Sequence, residues 1–503
     1  MSMINHLEME GGGGILTFCD IKKYFDSVFL SDMCWFLLKN DADLKAVKLF
    51  QLLTGTNRLR IQGSEKEFVI TNGIGQGGNV AARATSAGMA ECTERWMKNH
   101  PDPMFLRGVN VGLDEFVDDT KTSDKTAVGS KVSGEILTNA FNELSVSAHP
   151  DKTVQILVGN ENWIGMMEEE LKQNPTFIQG FEVKRVMKDK YLGMVVHRGG
   201  VKETIAANIR DKKSKIEPTV QKIRNFVRNN QILRLGRLKT VALLIQAQII
   251  PALLYDTESW LFPTKDNYKD MEDILKGAML KIMSLPPSTN YESMLWEIGN
   301  YHMQQWIELG KLRFFSKKMN LKSKGRMYEV LREEIISGDK KGFAEEMDIL
   351  SRKYGLPNVM LHYVRPEDIS ERVKEFSRDR ICHEVLLRKS IPIILNTRKV
   401  LHEHQTFTPM EERAITCFNT GNLVFKDTCP NKFKGKHEDR WCLVNICEGR
   451  DSYHHVRYEC QFYSTKYVNT GNPVRDNSKY LVALDRERQK RWKIPLIVVS
   501  GYL

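Results

Sequence analysis

Residues 114–119 read Asp-Glu-Phe-Val-Asp-Asp, four carboxylates in six positions, with Asp118 and Asp119 adjacent behind the apolar pair Phe116-Val117. Two like charges about 4 Å apart repel by roughly 4 kcal/mol at an effective dielectric of 20. The pair therefore needs either the screening of a solvated turn or cations in a dry pocket. As an isolated dipeptide it is ordinary β-turn composition. A third carboxylate from another element opens a second chemistry. Asp20 closes the apolar run Ile-Leu-Thr-Phe-Cys-Asp (15–20), and if the two stretches meet, three carboxylates form an oxygen-rich site suited to Mg²⁺. Two such ions about 3.5–4 Å apart activate a 3′-hydroxyl and stabilise a departing pyrophosphate.

The elements that must position these residues can be outlined from periodicity. The run 15–20 reads as a strand, and residues 21–40 carry apolar positions at helical spacing. Two extended runs follow around 104–111 and 113–118, with a turn expected at Asp118-Asp119. Further strands are expected at 153–159 and from 191 into a turn near 200, separated by the acidic helix that begins at Trp163. The first 200 residues thus read as an α+β domain with an antiparallel sheet. From 201 to about 420 the pattern is helical: Ile216, Val220, Ile223 and Val227 share one face, as do Leu238, Val241, Ile245 and Ile249.

Net charge is +11 over 503 residues, and much of the excess is local. Residues 210–239 hold ten Lys or Arg against Asp211 and Glu217, a net +8 in thirty residues. Such a stripe is either a solvated helix surface or the footprint of an anionic partner such as nucleic acid. A hydrophobic content of 41% with 27% charged residues is globular rather than disordered composition. The longest apolar block, Val241 to Tyr255, is too short to span a bilayer. With no basic, apolar leader in the first fourteen residues, the expectation is an intracellular protein without membrane contact. Nine cysteines are too few for a disulfide scaffold. Cys19, Cys34 and Cys92 read as small buried side chains.

Read in order, residues 18–28 (FCDIKKYFDSV), 72–78 (NGIGQGG), 116–119 (FVDD), 144–153 (LSVSAHPDKT) and 191–193 (YLG) resemble the palm motifs of reverse transcriptases. The chain is most similar to the polymerases of non-LTR (LINE-type) retrotransposons, whose post-palm segment resembles residues 249–260 (IIPALLYDTESW). The resemblance covers about residues 15–260 and the Cys/His tail. It implies RNA-directed DNA synthesis with two Mg²⁺ ions, an RNA template, a DNA primer or target, dNTPs and a nuclear location. Asp20 and Asp118 match the metal-binding aspartates, and Asp119 the supporting third. The Ile21 carbonyl would face a metal, and Phe25 matches the bulky residue that disfavours a 2′-hydroxyl. Tyr24 reads as core. Gln76 and Gly77 match the template–nucleotide turn, although Gly78-Asn79-Val80 departs from the family's Ser-Pro pattern. Lys152 matches the lysine that assists pyrophosphate departure, with His149 where Asn is commoner. Tyr191, Leu192 and Gly193 would grip the primer. On the basic stripe, Lys212, Lys213, Lys215, Lys222, Arg224 and Arg228 would track the duplex backbone.

In the tail, Cys442, Cys447, His455 and Cys460 resemble the family's zinc knuckle, with a first spacing of four rather than two. Tetrahedral Zn²⁺ accepts Cys₃His ligation at such spacings, and His454 is the competing ligand. The expected organisation is a palm at 1–200 with fingers largely missing, a helical thumb at 201–330, a helical connection at 331–420 and the zinc-knuckle-like module at 421–503. A truncation before the palm is expected, so that a partner or a missing segment would supply the fingers. Two alternatives stand beside this one. The first is an inactive retrotransposon remnant that only binds nucleic acid. The second is a group II intron maturase-like enzyme, against which the tail and residues 253–260 argue.

Overall fold

The computed structural model describes residues 4–5, 7, 12–54, 58–60, 67–69, 79–116, 119–229, 237–283, 285, 287, 289–320, 325–338, 341–386, 480–484 and 486. The chain is α+β and falls into two compact units that do not follow chain order. Unit one comprises Met1–Asn208, Ser259–Pro263 and Lys318–Ile349; unit two comprises Ile209–Glu258, Thr264–Lys317 and Leu350–Leu503.

Unit one is built on strand β1 (Gly13–Asp20), buried along its length until Asp20. A short helical turn (Tyr24–Ser27) and helix α1 (Leu30–Lys39) follow it. They replace the single helix expected over 21–40, because Val28 is extended and interrupts the winding. Helix α2 (Asn79–Asn99) leads to the hairpin of β2 (Leu113–Phe116) and β3 (Asp119–Asp124). Then come α3 (Ala127–Glu143), β4 (Val154–Gly159), α4 (Glu161–Gln173) and β5 (Lys184–Arg185). A second hairpin, β6 (Lys188–Tyr191) and β7 (Met194–His197), precedes α5 (Gly200–Asn229).

The sheet order is β5-β4-β1-β3-β2. Its central pairs are antiparallel, as expected, but β5 adds to β4 in parallel, so the sheet is mixed. The purely antiparallel expectation is corrected by this edge strand, which is only two residues long. The sequence also differs from expectation at the acidic turn, since Asp119 is the first residue of a strand and not part of the turn.

Alternation along β1 assigns its two faces. Leu16 and Phe18 join Val154, Ile156 and Val158 under the β6–β7 hairpin, where Val196 is buried and Tyr191 and Met194 pack alongside. Ile15 packs with Leu157 against Ile164, Met167 and Leu171 of α4. Cys19 joins the cluster of Met89, Cys92 and Trp96 from α2 with Leu137, Ala140 and Phe141 from α3. On this helical side Gln155 Nε2 donates to Thr17 Oγ1 (3.0 Å), Ser130 Oγ (2.8 Å) and Thr176 Oγ1 (3.0 Å), whereas Gln155 Oε1 and the Thr120 hydroxyl are buried without a hydrogen-bond partner among the described residues. Helix α3 is capped by Thr126, which accepts from the Gly129 amide, and α4 by Asn160, which accepts from the Trp163 amide. Cys92 is buried like Cys19, whereas Cys34 is only half-buried.

Unit two is helical over its described residues. Helix Lys265–Met283 buries Met271, Leu275, Met279 and Ile282, and helix Met303–Met319 buries Ile307, Leu312 and Phe315. Its buried Glu308 is paired with Lys353 Nζ at 2.6 Å and accepts from Gln304 Nε2 at 2.9 Å, which meets the requirement that an interior charge be partnered. Among the described residues no helix is long and apolar enough to cross a membrane.

The Trp163 ring lies against Gly13 so closely that a Cβ there would meet ring carbons at 2.1–2.6 Å. Gly13→Ala is therefore expected to destabilise unit one by about 1–3 kcal/mol through overpacking. Gly165→Ala, on the open side of α4 with nothing within 4 Å of the new methyl, is expected to be neutral or stabilising by up to ~1 kcal/mol. Urea unfolding of the two variants checks the contrast.

Candidate active site

The ladder between β1 and β3 sets Asp20 directly opposite Asp119. Directly paired residues on neighbouring strands project to the same face, with Cβ atoms about 4.5–5.5 Å apart. Both carboxylates line one cavity of about 210 Å³, together with Lys152, Asp189, Lys190 and Tyr191. Residues 99 positions apart in the chain thus share a site because the strands carrying them are hydrogen-bonded neighbours.

Lys152 arrives by a different route. Beyond β1 the chain makes a single antiparallel bridge between Ile21 and Ala148. The Lys22 amide donates to the Ser147 carbonyl (2.7 Å), and the His149 amide donates to the Asp20 carbonyl (2.8 Å). A tight turn then returns on His149, whose carbonyl accepts from the Lys152 amide (3.1 Å) and the Thr153 amide (2.9 Å). This places Lys152 Nζ 3.1 Å from Asp20 Oδ2, with the lysine side chain 62% and the aspartate side chain 26% exposed. Screening by solvent keeps such a pair weak, worth about 1 kcal/mol or less.

Tyr191 ends β6, and its hydroxyl donates to the Asp119 carbonyl at 3.5 Å. Its ring lies 5.1 Å from that of Phe18. Burial pushes the phenol's pKa well up, with the carboxylates of Asp114, Asp119 and Glu115 adding to the effect. Leu192 and Gly193 form the hairpin tip at φ 49° and 84°. Both central positions lie in the left-handed region, as a two-residue primed turn requires. A leucine held there is a strained choice at an exposed tip.

Two of the four carboxylates in 114–119 are turned to other tasks. Asp114 pairs with Lys121 Nζ at 2.5 Å and Arg326 at 3.4 Å. Burial, the largest single influence, would raise its pKa, but the charge and hydrogen bond of Lys121 together with the charge of Arg326 hold the carboxyl below the usual range. Arg326, in α6 (Arg326–Ser337), also donates to the Leu113 carbonyl. Glu115 sits opposite Thr120 on the helical side of the sheet and accepts from Thr93 of α2. Burial lifts its carboxyl to about 7, with Thr93 and Cys92 opposing.

Asp118, Gln76 and Gly77 lie outside the described residues, as do Cys442, Cys447, His455 and Cys460. Ile21 is buried at 2% exposure. Tyr24 is core, as expected, and its hydroxyl donates to the Thr85 carbonyl. Phe25 is half-buried, edge-on to Tyr24 at 6.1 Å. Among the described residues no three His, Cys, Asp or Glu side chains converge as a metal site. The cavity does offer the donor chemistry that magnesium prefers: Asp20 and Asp119 present carboxylate oxygens from rigidly paired positions. Asp189 was not anticipated from the sequence, yet alternation along Lys188–Tyr191 puts it on the same hairpin face as Tyr191.

The basic stripe, in unit two, divides by face. Lys213, Lys215 and Lys222 are exposed, Arg224 is half-buried, and the side chain of Arg228 lies outside the described residues. Lys215 pairs with Asp211 at 3.0 Å. Lys212 corrects the expectation: it is 8% exposed, donates to the Tyr255 carbonyl, and burial pulls its pKa down to about 8. The reason is positional, since Ile209, Lys212, Ile216, Val220, Ile223 and Val227 form the buried seam of α5.

No family model matches the chain, and no curated protein matches it. Among solved structures it is similar to telomerase from Candida albicans in complex with the TWJ fragment of telomeric RNA, with 12% identity and a TM-score of 0.25. The match covers 67% of this chain and 46% of that one, so the chain spans under half of that enzyme's length.

A Glu carboxyl raised from 4.5 to about 7 binds its proton more tightly folded than unfolded. Its stabilising contribution is complete below pH 4.5 and is lost as pH rises through 7. Glu115→Gln is therefore expected to melt roughly 2–4 °C above wild type at pH 8 and level with it at pH 5. Thermal unfolding across that range measures the effect.

Proposed function

We propose that the chain is an RNA-directed DNA polymerase of the non-LTR retrotransposon type, which joins an incoming deoxynucleotide to a primer 3′-hydroxyl. The observation that carries this reading is the register pair Asp20–Asp119 at the end of the central β1–β3 ladder. It brings together two of the carboxylates that the motif order nominated, on the sheet face that also holds Lys152 and Tyr191. Asp20 and Asp118 would hold two Mg²⁺ ions, with Asp119 supporting and the Ile21 carbonyl contributing. Bound there, the metals supply activation of the 3′-hydroxyl and charge neutralisation at the leaving pyrophosphate.

The chain's own residues supply the rest. Lys152 carries its ammonium at the mouth of the cavity, where it can meet pyrophosphate charge. Phe25, half-buried against the cluster that holds Ile21 and Tyr24, would exclude a 2′-hydroxyl by its bulk. Gln76 and Gly77 would lie along the template–nucleotide pair. The strained tip Leu192-Gly193 and Tyr191 would hold the primer end, and the exposed Lys213, Lys215 and Lys222 would follow the duplex phosphates. Cys442, Cys447, His455 and Cys460 would bind Zn²⁺ in a nucleic-acid-binding module. The working location would be the nucleus. A second reading, binding without catalysis, rests on the exposed lysines of α5 alone.

Primer extension on an RNA template with Mg²⁺ tests the proposal. Asp20→Ala and Asp119→Ala are expected to lose roughly a hundredfold or more in rate while RNA affinity is kept. Undiminished extension by the Asp118→Ala plus Asp119→Ala variant would remove it, and binding with no extension by wild type would favour the second reading. Replacing Lys213, Lys215 and Lys222 by Gln is expected to lower the salt dependence of nucleic-acid binding by about three units of slope.

A further inference from the structure

The Asp20–Lys152 ion pair conflicts with the use proposed for Asp20. A carboxylate that is to ligate a divalent cation already holds an ammonium at 3.1 Å. The two cations compete for the same oxygens at close range, so metal entry must displace Lys152. Staying beside the metal costs the ammonium like-charge repulsion, so Lys152, 62% exposed where it stands, either turns out to solvent or takes another carboxylate of the cavity.

The cavity contains an acceptor. Asp189 lines it with Asp20, Asp119 and Lys152, and its pairing with Val196 places it on the hairpin face that packs over the sheet. Among the described residues Asp189 forms no ion pair, and burial raises its pKa. The other charged groups on the cavity wall are Asp151, which lies 3.5 Å from Lys184, and Lys190. Asp189 is therefore a carboxylate of this cavity without an ion pair among the described residues, held only by the Lys190 backbone amide, and Lys152 is a flexible point charge on a four-carbon stem within the same cavity.

Resting on the metal reading of the Asp20 site, we infer that Lys152 is an exchangeable counter-ion: it neutralises Asp20 in the metal-free protein and transfers to Asp189 when a divalent cation binds. Asp189 is then a positioning residue, which fixes the loaded-state location of the ammonium that faces the pyrophosphate. In the metal-free site the lysine offsets the charge of Asp20 alone, and it is delivered to its working position by the metal itself.

The test is a double-mutant cycle on Mn²⁺ affinity, measured by electron paramagnetic resonance on the full chain without substrates. Lys152→Gln is expected to tighten Mn²⁺ binding, since the competitor is gone. Asp189→Asn is expected to weaken it by roughly threefold to fivefold in the wild-type background. In the Lys152→Gln background the same Asp189→Asn change is expected to do little, because no ammonium needs a new partner. Equal weakening in both backgrounds would show a general field effect and overturn the exchange, as would no weakening in either. Absence of any Mn²⁺ binding that Asp20→Asn abolishes would instead overturn the metal reading itself. The two failures are therefore distinct.

Discussion

The register of β1 against β3 is the constraint on which everything else here depends. With side chains alternating at a period of two, a slip of one residue would send Asp20 to the helical side while leaving Asp119 where it is. The register is held by burial. Leu16 and Phe18 must lie under the β6–β7 hairpin, and Ile15 and Cys19 must lie against the helices. Neither set can cross over without exposing large apolar area and burying a carboxylate beside Trp96 and Phe141. The meeting of Asp20 and Asp119 is thus enforced by the core, and the repulsion between them is a small opposing term.

The two faces of the sheet divide the chemistry. On the helical side, Gln155 Nε2 is closed off against Thr17 and Ser130. On the hairpin side, past the last apolar pair Phe18–Val154, the sheet runs into carboxylates and a lysine. The segment after β1 makes this possible, since the single bridge Ile21–Ala148 ties residues 147–152 to the strand end. Charge is placed where the apolar ladder stops, which keeps the carboxylates partly solvated and open to cations.

The acidic cluster that first drew attention does not act as one group. Among its described members alternation turns Glu115 to the helical side and Thr93, while Asp114 and Asp119 share the other face, where Asp114 is drawn to Lys121 and Arg326 and Asp119 lines the cavity. The run of like charges is therefore tolerated partly because alternation separates Glu115, and partly because Lys121 and Arg326 neutralise Asp114 on the face it shares with Asp119. Glu115 shows the cost of this economy, being held near neutrality by burial among apolar side chains.

The sequence alone determined the alternation of apolar and polar positions, and hence the strand ending at Asp20, the acidic hairpin and the helical face of α5. Two further features are already present in the sequence. The seam 209, 212, 216, 220 already contained Lys212, and alternation along 188–191 already set Asp189 beside Tyr191. Three things were decided only by tertiary structure. The ion pair of Lys152 with Asp20 joins residues 132 apart. The parallel edge strand Lys184–Arg185 is too short to carry a pattern. The division of 114–119 among three partners depends on what α2 and α6 bring near. Local patterns fix what each residue prefers to face, because they report burial along one element. Which charges become neighbours is set by how separate elements pack, and no window of the chain contains that information.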